Sequence, residues 1–228
     1  MLKQEEENII KFIDFLTKVT VRISTFNEAG ILTGRASGFL YQPEIDKIPL
    51  IITAGHKLPE SGSFIETSIV KDGELLLINA GKFNIFYNND GVDYAYCELP
   101  IEKYIQDIEK YTDVEFIAYK DKFINVVKDE VYGFAVVNDY AEFVKRENGF
   151  NLPSYCCYEI YLELVKQDEH INYFKPARNF QGHEYYQGAS GSPIANPEGA
   201  ITSILIGGCQ ETGLLKAFTL DNVESFIF

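Results

Sequence analysis

Two different spacings of apolar residues divide the chain into a short first segment and a long remainder. Within residues 5–18, apolar side chains recur at helical spacing, at Ile9, Phe12, Ile13 and Leu16. From residue 19 onward, apolar and polar residues alternate with a period of two, as in VTVRIS at residues 19–24 and YEIYLEL at residues 158–164. The pattern predicts an amino-terminal helix at residues 1–18 followed by a body made of β-strands.

The remainder of the chain consists of many short β-rich runs separated by Gly, Asn, Asp and Pro. Aromatic and β-branched residues in such regularly spaced runs predict an antiparallel sandwich or barrel. Strands do not alternate with long helical segments, which argues against a parallel α/β sheet. The last residues, LDNVESFIF, predict a short helix with Asp221 as its candidate cap, and a soft boundary between two β-rich halves is expected within residues 101–113.

Charge and composition narrow the classes of partner. Hydrophobic residues make up 46% of the chain, which is enough for a sizeable core. The 34 acidic against 20 basic residues give a net charge of −14, which opposes binding to nucleic acid and to anionic membranes. The first residues, MLKQEEENIIKFIDFL, carry charges where a signal peptide needs an apolar stretch, and we therefore expect a cytoplasmic protein.

The cysteines do not form a metal-binding pattern. The chain contains Cys97, Cys156, Cys157 and Cys209, with no CxxC or Cys/His spacing typical of zinc. We therefore expect free and mostly buried thiols, with no metal and no cofactor.

The hexapeptide GASGSP at residues 188–193 is either a tight turn before a strand or the setting of a nucleophile, Ser190. A serine hydroxyl is a weak nucleophile that needs a neighbouring base, itself usually oriented by a carboxylate. Of the three histidines, His56 directly follows an apolar strand-like run, whereas His170 and His183 are interpreted as surface or structural residues. Asp93, which opens DYAYCEL, is a candidate carboxylate, although taken alone it is typical of a turn.

Three motifs in this order resemble the trypsin-like (chymotrypsin-fold) serine peptidases, over about residues 19–228. They are TAGH at 53–56, DYAYCEL at 93–99 and GASGSP at 188–193, with ASGFLYQ at 36–42 and GAITSILIGG at 199–208 as further similarities. The resemblance implies an all-β fold of two packed antiparallel six-stranded barrels, with the first at about residues 19–110 and the second at about 111–220. The predicted terminal helices would flank these barrels.

The resemblance also implies a role for each motif residue. Ser190 would be the nucleophile, His56 the general base and then acid, and Asp93 the group that orients His56. The backbone N–H groups of Gly188 and Ser190 would form the oxyanion hole. The implied activity is that of a serine endopeptidase acting on protein or peptide substrates, without metal or organic cofactor.

Substrate selectivity is expected to depend on residues near Ser190. The resemblance implies that Glu184, six places before Ser190, lies at the base of the substrate pocket, where a carboxylate would favour Arg or Lys before the cleaved bond. Gly207 and Gly208 are expected to leave the wall of this substrate pocket open.

Other interpretations of this region remain open. Glu184 is equally interpreted as a solvated loop charge, and His183 or Lys216 in the pocket would reverse the preference for basic residues. Tyr185 and Tyr186 either flank the substrate cleft or pack in the core.

The chain also departs from the pattern of secreted relatives. Ala189 occupies the place of the acidic residue that pairs with a newly freed amino terminus, so activation by such cleavage is not supported. The usual disulfides are absent as well, which fits an intracellular bacterial or viral type. We expect a regulated effector peptidase, for example in stress or antiphage defence, with a regulatory protein partner. The alternative is a latent or inactive pseudoprotease that serves as a protein-binding module.

Overall fold

The structure is a computed structural model, and everything below concerns the residues that it describes. These are residues 2–27, 29, 31–42, 48, 50–58, 64–71, 74–80, 83–88, 91–98, 117–118, 124–137, 143–145, 151–153, 156–178, 180–182 and 185–220. The helix predicted at the carboxy terminus, the boundary predicted within 101–113, and the residues His183 and Glu184 lie outside this set.

The described residues form one α-helix and mostly antiparallel strands. The helix is α1 (Leu2–Val19), somewhat longer at each end than the segment 5–18 in which its apolar spacing is visible. The strands are β1 (Thr20–Phe26), β2 (Leu32–Gln42), β3 (Leu50–Thr53), β4 (Phe64–Lys71), β5 (Glu74–Ala80), β6 (Asn84–Tyr87), β7 (Asp93–Glu98), β8 (Ile117–Ala118), β9 (Val131–Val137), β10 (Phe143–Lys145), β11 (Asn151–Pro153), β12 (Cys156–Gln167), β13 (Ile171–Lys175), β14 (Pro193–Ala195), β15 (Ile201–Cys209) and β16 (Leu214–Thr219).

The strands of the first half form one sheet in the order β5-β4-β1-β2-β3-β7-β6. Neighbours in this order pair antiparallel, and the short strand β8 adds to β2 in parallel. Alternation explains the packing of β1, because Val21 and Ile23 point inward against Leu40 and Ile51. Among the described strands this sheet is an open path rather than a closed ring.

The second half is a closed barrel of six strands in the order β12-β13-β16-β15-β14-β9. Its interior holds fully buried aromatic residues, among them Tyr132, Phe134 and Phe174. Strands β10 and β11 pair with each other and not with the described strands of the barrel. The sequence prediction of an all-β, chymotrypsin-like architecture with an amino-terminal helix is confirmed.

Helix α1 packs against the β-structure through its apolar stripe. Leu16 is 0% exposed, and a Cβ atom placed on Gly133 of β9 would lie 3.2 Å from its Cδ1 atom and 3.0 Å from Phe12 Cε1. The helix therefore rests directly on the backbone of the second half. Phe12 and Leu16 share one buried cluster with residues of both halves, including Tyr94 and Phe218.

The helix ends where the first strand begins. Thr20, the first residue of β1, donates a hydrogen bond from Oγ1 to the Leu16 carbonyl at 2.8 Å, which satisfies a carbonyl of the last helical turn. In the part of the chain that the structure describes, no helix has the length and apolar content needed to cross a membrane.

We predict that Leu16→Ala lowers the free energy of unfolding by about 2–5 kcal/mol, because it removes buried methyl groups and leaves a cavity under the helix. The matched control is Ile10→Ala in the same helix, where the side chain is 62% exposed and the expected change is within about 0.5 kcal/mol. Urea unfolding of both variants measures the difference. Equal losses at the two positions would contradict the packing described for α1.

Candidate active site

Strand pairing brings His56 and Asp93 together. His56 lies in a short 3-10 turn, Gly55–Lys57, directly after β3, and Asp93 is the first residue of β7. Because β3 and β7 pair antiparallel, with Thr53 opposite Ala95, the end of one strand meets the beginning of the other. Gly55 lies at the closest approach, since a Cβ atom there would lie 2.8 Å from the Tyr94 carbonyl oxygen.

The two side chains form a short, specific contact. The Nδ1 atom of His56 lies 2.6 Å from Oδ2 of Asp93, and the backbone N–H of His56 donates to Oδ1 at 3.0 Å. Asp93 is 6% exposed, so its carboxylate depends on these hydrogen bonds for stability. An ionised carboxylate accepts hydrogen bonds only, which assigns the hydrogen to Nδ1 and leaves Nε2 of His56 as a proton acceptor.

Ser190 lies in a tight turn that precedes β14. Gly188 and Gly191 on either side of it have φ angles of +83° and +94°, which favour glycine. The backbone N–H groups of Ala189, Gly191 and Ser192 donate to the carbonyls of Tyr186, Leu205 and Ala189, respectively. Within the described residues, the N–H groups of Gly188 and Ser190 donate no hydrogen bond. The turn thus presents two available donors beside the serine hydroxyl, an arrangement that can bind an oxyanion.

The first half contacts this turn directly through Ser37 of β2. The backbone N–H of Ser37 donates to the Ser190 carbonyl at 2.8 Å, and its hydroxyl donates to the Gly188 carbonyl at 2.8 Å. Ser37 lies in the motif ASGFLYQ, which by itself assigns no role to this serine.

A groove of about 680 Å³ contains both His56 and Ser190. The first half contributes Thr33, Gly34, Arg35, His56 and Lys57. The second half contributes Ser190 and its turn, together with Phe180, Tyr186, Ile206, Gly207, Gly208 and Leu215. The groove therefore has cationic side chains on one side and a largely apolar wall on the other.

Gly207 and Gly208 both line this groove, but they differ in the space beside them. A Cβ atom at Gly207 would meet nothing within 4 Å. A Cβ atom at Gly208 would lie 2.6 Å from the ring of Phe180, so that ring occupies the space that the missing side chain leaves. Glu184, the residue expected at the base of the pocket, lies outside the described residues.

Behind the apolar wall lies a buried carboxyl group that the sequence analysis did not identify. Phe180 stacks on Tyr186 with ring centroids 5.1 Å apart, and the Tyr186 hydroxyl donates to Oε1 of Glu159 at 3.1 Å. Burial raises the pKa of Glu159, and the hydrogen bond from Tyr186 and the charge of Arg178 oppose that rise. Glu159 is 5% exposed and supports the wall from the barrel interior.

The described thiols are not among the residues that line the groove. Cys97 is buried in the first half, and burial raises its pKa to about 12. At Cys209 the pKa is lowered, chiefly by a hydrogen bond from the Thr212 side chain, but the residue does not line the groove. No group of three or more potential metal ligands occurs among the residues that the structure describes.

Comparison with known proteins finds similarity in structure alone. No protein-family model matches the chain, and no curated protein matches its sequence. A protease of M. tuberculosis, Rv3671c in its active form, superposes with a TM-score of 0.59 at 11% identity, covering 94% of this chain and 81% of the other. A structure titled GrC gives a TM-score of 0.63 at 13% identity and covers 94% of both chains.

A third similar structure is a serine endoprotease from Yersinia pestis, with a TM-score of 0.59 at 14% identity. The match covers 95% of this chain and 65% of the endoprotease. At such identities the comparison establishes the fold alone. The chain adopts the chymotrypsin fold, as its motifs and their order had predicted.

Proposed function

We propose that the chain is a serine endopeptidase that cleaves protein or peptide substrates through an acyl-enzyme. The observation that carries the proposal is the geometry around the groove. The Nδ1 atom of His56 is held by Asp93 at 2.6 Å, while His56 and Ser190 line one groove beside two available backbone N–H groups. A nucleophile, a base with its orienting carboxylate, and oxyanion donors are the parts that acyl transfer requires.

In the proposed reaction, Oγ of Ser190 attacks the carbonyl carbon of the peptide bond while Nε2 of His56 takes the hydroxyl proton. The N–H groups of Gly188 and Ser190 stabilise the negative charge that develops on the carbonyl oxygen. The C–N bond then breaks, and His56 gives its proton to the leaving amine. A water molecule, activated by the same histidine, releases the acyl group and restores the Ser190 hydroxyl.

The edge of β15 supports the binding of an extended polypeptide. Strand β14 pairs with β15 only as far as the pair Pro193–Ile204, whereas Gly207 and Gly208 pair only with β16 among the described strands. The backbone of Gly207 and Gly208 is thus exposed to the groove on one side. An extended substrate can add there as a further antiparallel strand, with its main chain held by hydrogen bonds.

The described residues favour serine over cysteine as the nucleophile. Neither Cys97 nor Cys209 lines the groove, and Ser190 does. The preference for Arg or Lys before the cleaved bond, which depends on Glu184, stays a prediction. Cytoplasmic action, a regulatory partner and a role in stress or antiphage defence also stay predictions.

Labelling by a fluorophosphonate probe tests whether Ser190 is the nucleophile. We expect one adduct, at Ser190, and its loss in Ser190→Ala and in His56→Ala. His170→Ala is the matched histidine control, because His170 lies outside the groove lining and contacts Phe218 with ring centroids 6.3 Å apart. Mass spectrometry locates the adduct, and peptide hydrolysis measures turnover.

We further expect Asp93→Asn to lower kcat by about 10⁴-fold, because the histidine would be held in the wrong tautomer.

Two results would count against this proposal. Turnover in Ser190→Ala equal to that of the wild-type chain would exclude Ser190 as the nucleophile. A folded wild-type chain that neither labels nor hydrolyses any peptide would instead favour the pseudoprotease.

The buried carboxyl group of Glu159, behind the wall of the groove, makes the stability of the fold depend on pH. Because the pKa of Glu159 is raised in the folded state, that state binds more protons than the unfolded state between the two pKa values. The wild-type chain therefore loses stability as pH rises from the ordinary carboxyl range through the raised pKa. Glu159→Gln cannot ionise, so its stability relative to wild type should rise over that window and then level off.

The matched control is Glu163→Gln on the same strand, β12, where the side chain is exposed. Urea unfolding between pH 4 and pH 8 measures the three free energies. A constant difference between Glu159→Gln and the wild-type chain across this range would contradict the prediction.

A further inference from the structure

Ser37 makes three hydrogen bonds from a buried position between the two halves. Its hydroxyl donates to the Gly188 carbonyl at 2.8 Å and its backbone N–H donates to the Ser190 carbonyl at 2.8 Å. Its carbonyl accepts a hydrogen bond from Oγ1 of Thr53 at 2.6 Å. With 1% of its surface exposed, Ser37 is a fixed part of this junction rather than a surface serine.

These bonds join the two elements that carry the proposed nucleophile and base. The two carbonyls that Ser37 holds belong to the peptide groups immediately before and after the Ala189–Ser190 peptide, whose N–H belongs to Ser190, so holding both limits rotation of that peptide group. Thr53 ends β3, three residues before His56, so the same serine is tied to the strand that positions the base. Ser37 thus relates the turn at Ser190 to the side chain of His56.

The turn at Ser190 needs an external support of this kind. Gly188 and Gly191 both have positive φ angles, and glycine is the residue with the widest choice of backbone conformations. Ala189, which lies between Gly188 and Ser190, is buried and has no polar side chain to hold the turn. Beyond the local bonds donated by the N–H groups of Ala189 and Ser192, the support comes from tertiary contacts, and Ser37 supplies two of them.

Resting on the proposed function, we propose that Ser37 is a positioning residue that holds the oxyanion-binding N–H groups of Gly188 and Ser190 in place. The support is built into the fold, through β2, and needs no freed amino terminus and no partner. The isolated chain is consequently assembled for catalysis. Ser37 is not proposed to act in substrate selectivity or in release of the acyl group, which depend on the residues of the groove.

The first test concerns the close approach of the turn to β2. It compares two glycines that have similar φ angles but different surroundings. Gly191 and Gly182 have similar φ angles, +94° and +92°. A Cβ atom at Gly191 would collide with the Ser37 carbonyl and with Thr53 Oγ1, whereas one at Gly182 would meet nothing within 4 Å.

Backbone strain is therefore common to the variants Gly191→Ala and Gly182→Ala, and the collision is not. We expect the thermal midpoint of Gly191→Ala to lie below that of Gly182→Ala by about 4 °C or more. Equal midpoints would show that the turn does not press against β2.

The decisive experiment replaces the hydroxyl alone. Ser37→Ala keeps the backbone N–H bond to Ser190 and removes the bond to Gly188. Since loss of one oxyanion donor lowers kcat by about 10²–10³-fold, displacement of the donors should lower kcat by roughly 10- to 100-fold, with KM within about twofold. Ser37→Thr, which keeps a hydroxyl, should restore most of kcat. Ser24→Ala, a buried serine on the neighbouring strand β1, should behave as the wild-type chain.

A peptide aldehyde separates positioning from general destabilisation. Its adduct with Ser190 places an oxygen in the oxyanion hole, so its dissociation constant should rise in Ser37→Ala by about the factor by which kcat falls. A non-cleaved product peptide should bind both chains equally. If Ser37→Ala does not fold, Ser37→Cys takes its place as the test variant, because cysteine keeps the size of the side chain and its thiol is a weaker hydrogen-bond donor. We then expect kcat of Ser37→Cys to fall at least a few-fold below that of the wild-type chain.

The outcomes distinguish the two proposals. An active wild-type chain with kcat unchanged in Ser37→Ala, or in Ser37→Cys where the alanine variant does not fold, overturns the role of Ser37 and leaves the peptidase intact. Equal loss of aldehyde and product-peptide affinity also overturns it. A wild-type chain that neither labels nor turns over overturns both proposals, since the built-in support predicts an assembled isolated chain.

Discussion

The close packing of strand β2 against the turn at Ser190 is the constraint on which the groove depends. Ser37 donates to the carbonyls of Gly188 and Ser190 across a sequence separation of about 150 residues. Gly191 permits this approach because any side chain there would meet the Ser37 carbonyl. The shared core beneath, with Tyr94 of the first half against Phe218 of the second, keeps the halves in contact. The distance between base and nucleophile is thus set by packing between halves, and neither half contains the groove alone.

The two buried carboxyl groups near the groove, Asp93 and Glu159, have different roles. Asp93 accepts two hydrogen bonds from His56, one from the backbone and one from the ring, which compensates its removal from water and fixes the tautomer of the base. Glu159 accepts a bond from Tyr186, and burial still raises its pKa. The first carboxyl group therefore orients the histidine. The second supports an aromatic wall, and its ionisation works against the fold.

Much of the fold and part of the site could be predicted from local sequence. Helix α1 and strand β1 follow from spacing that changes at residue 19, and His56 follows from an apolar run that ends in a turn. Tyr158, Ile160, Leu162 and Leu164 alternate with Glu159, Tyr161 and Glu163 in β12, and such alternation is typical of a strand with one inward face. In the structure Tyr158 is exposed and Glu159 is buried, because a bulge between Ile160 and Leu162, with φ of +66° at Tyr161, shifts the phase. Alternation carries no sign of such an extra residue, so the carboxyl group behind Tyr186 could not be foreseen.

The contacts of Ser37 and Phe180 could not be predicted from local sequence either, because their partners lie in distant segments. The motif ASGF indicates a strand with a close backbone approach at Gly38, but it does not show which residue the Ser37 hydroxyl reaches. Gly208 likewise suggested an open wall, whereas the ring of Phe180 from another loop fills that space. Both features arise where two elements far apart in sequence meet, and both adjoin the groove. Short motifs thus identify the groups that react, while the groups that position them and shape their pocket come from tertiary packing, which leaves its sequence signal mainly in glycines.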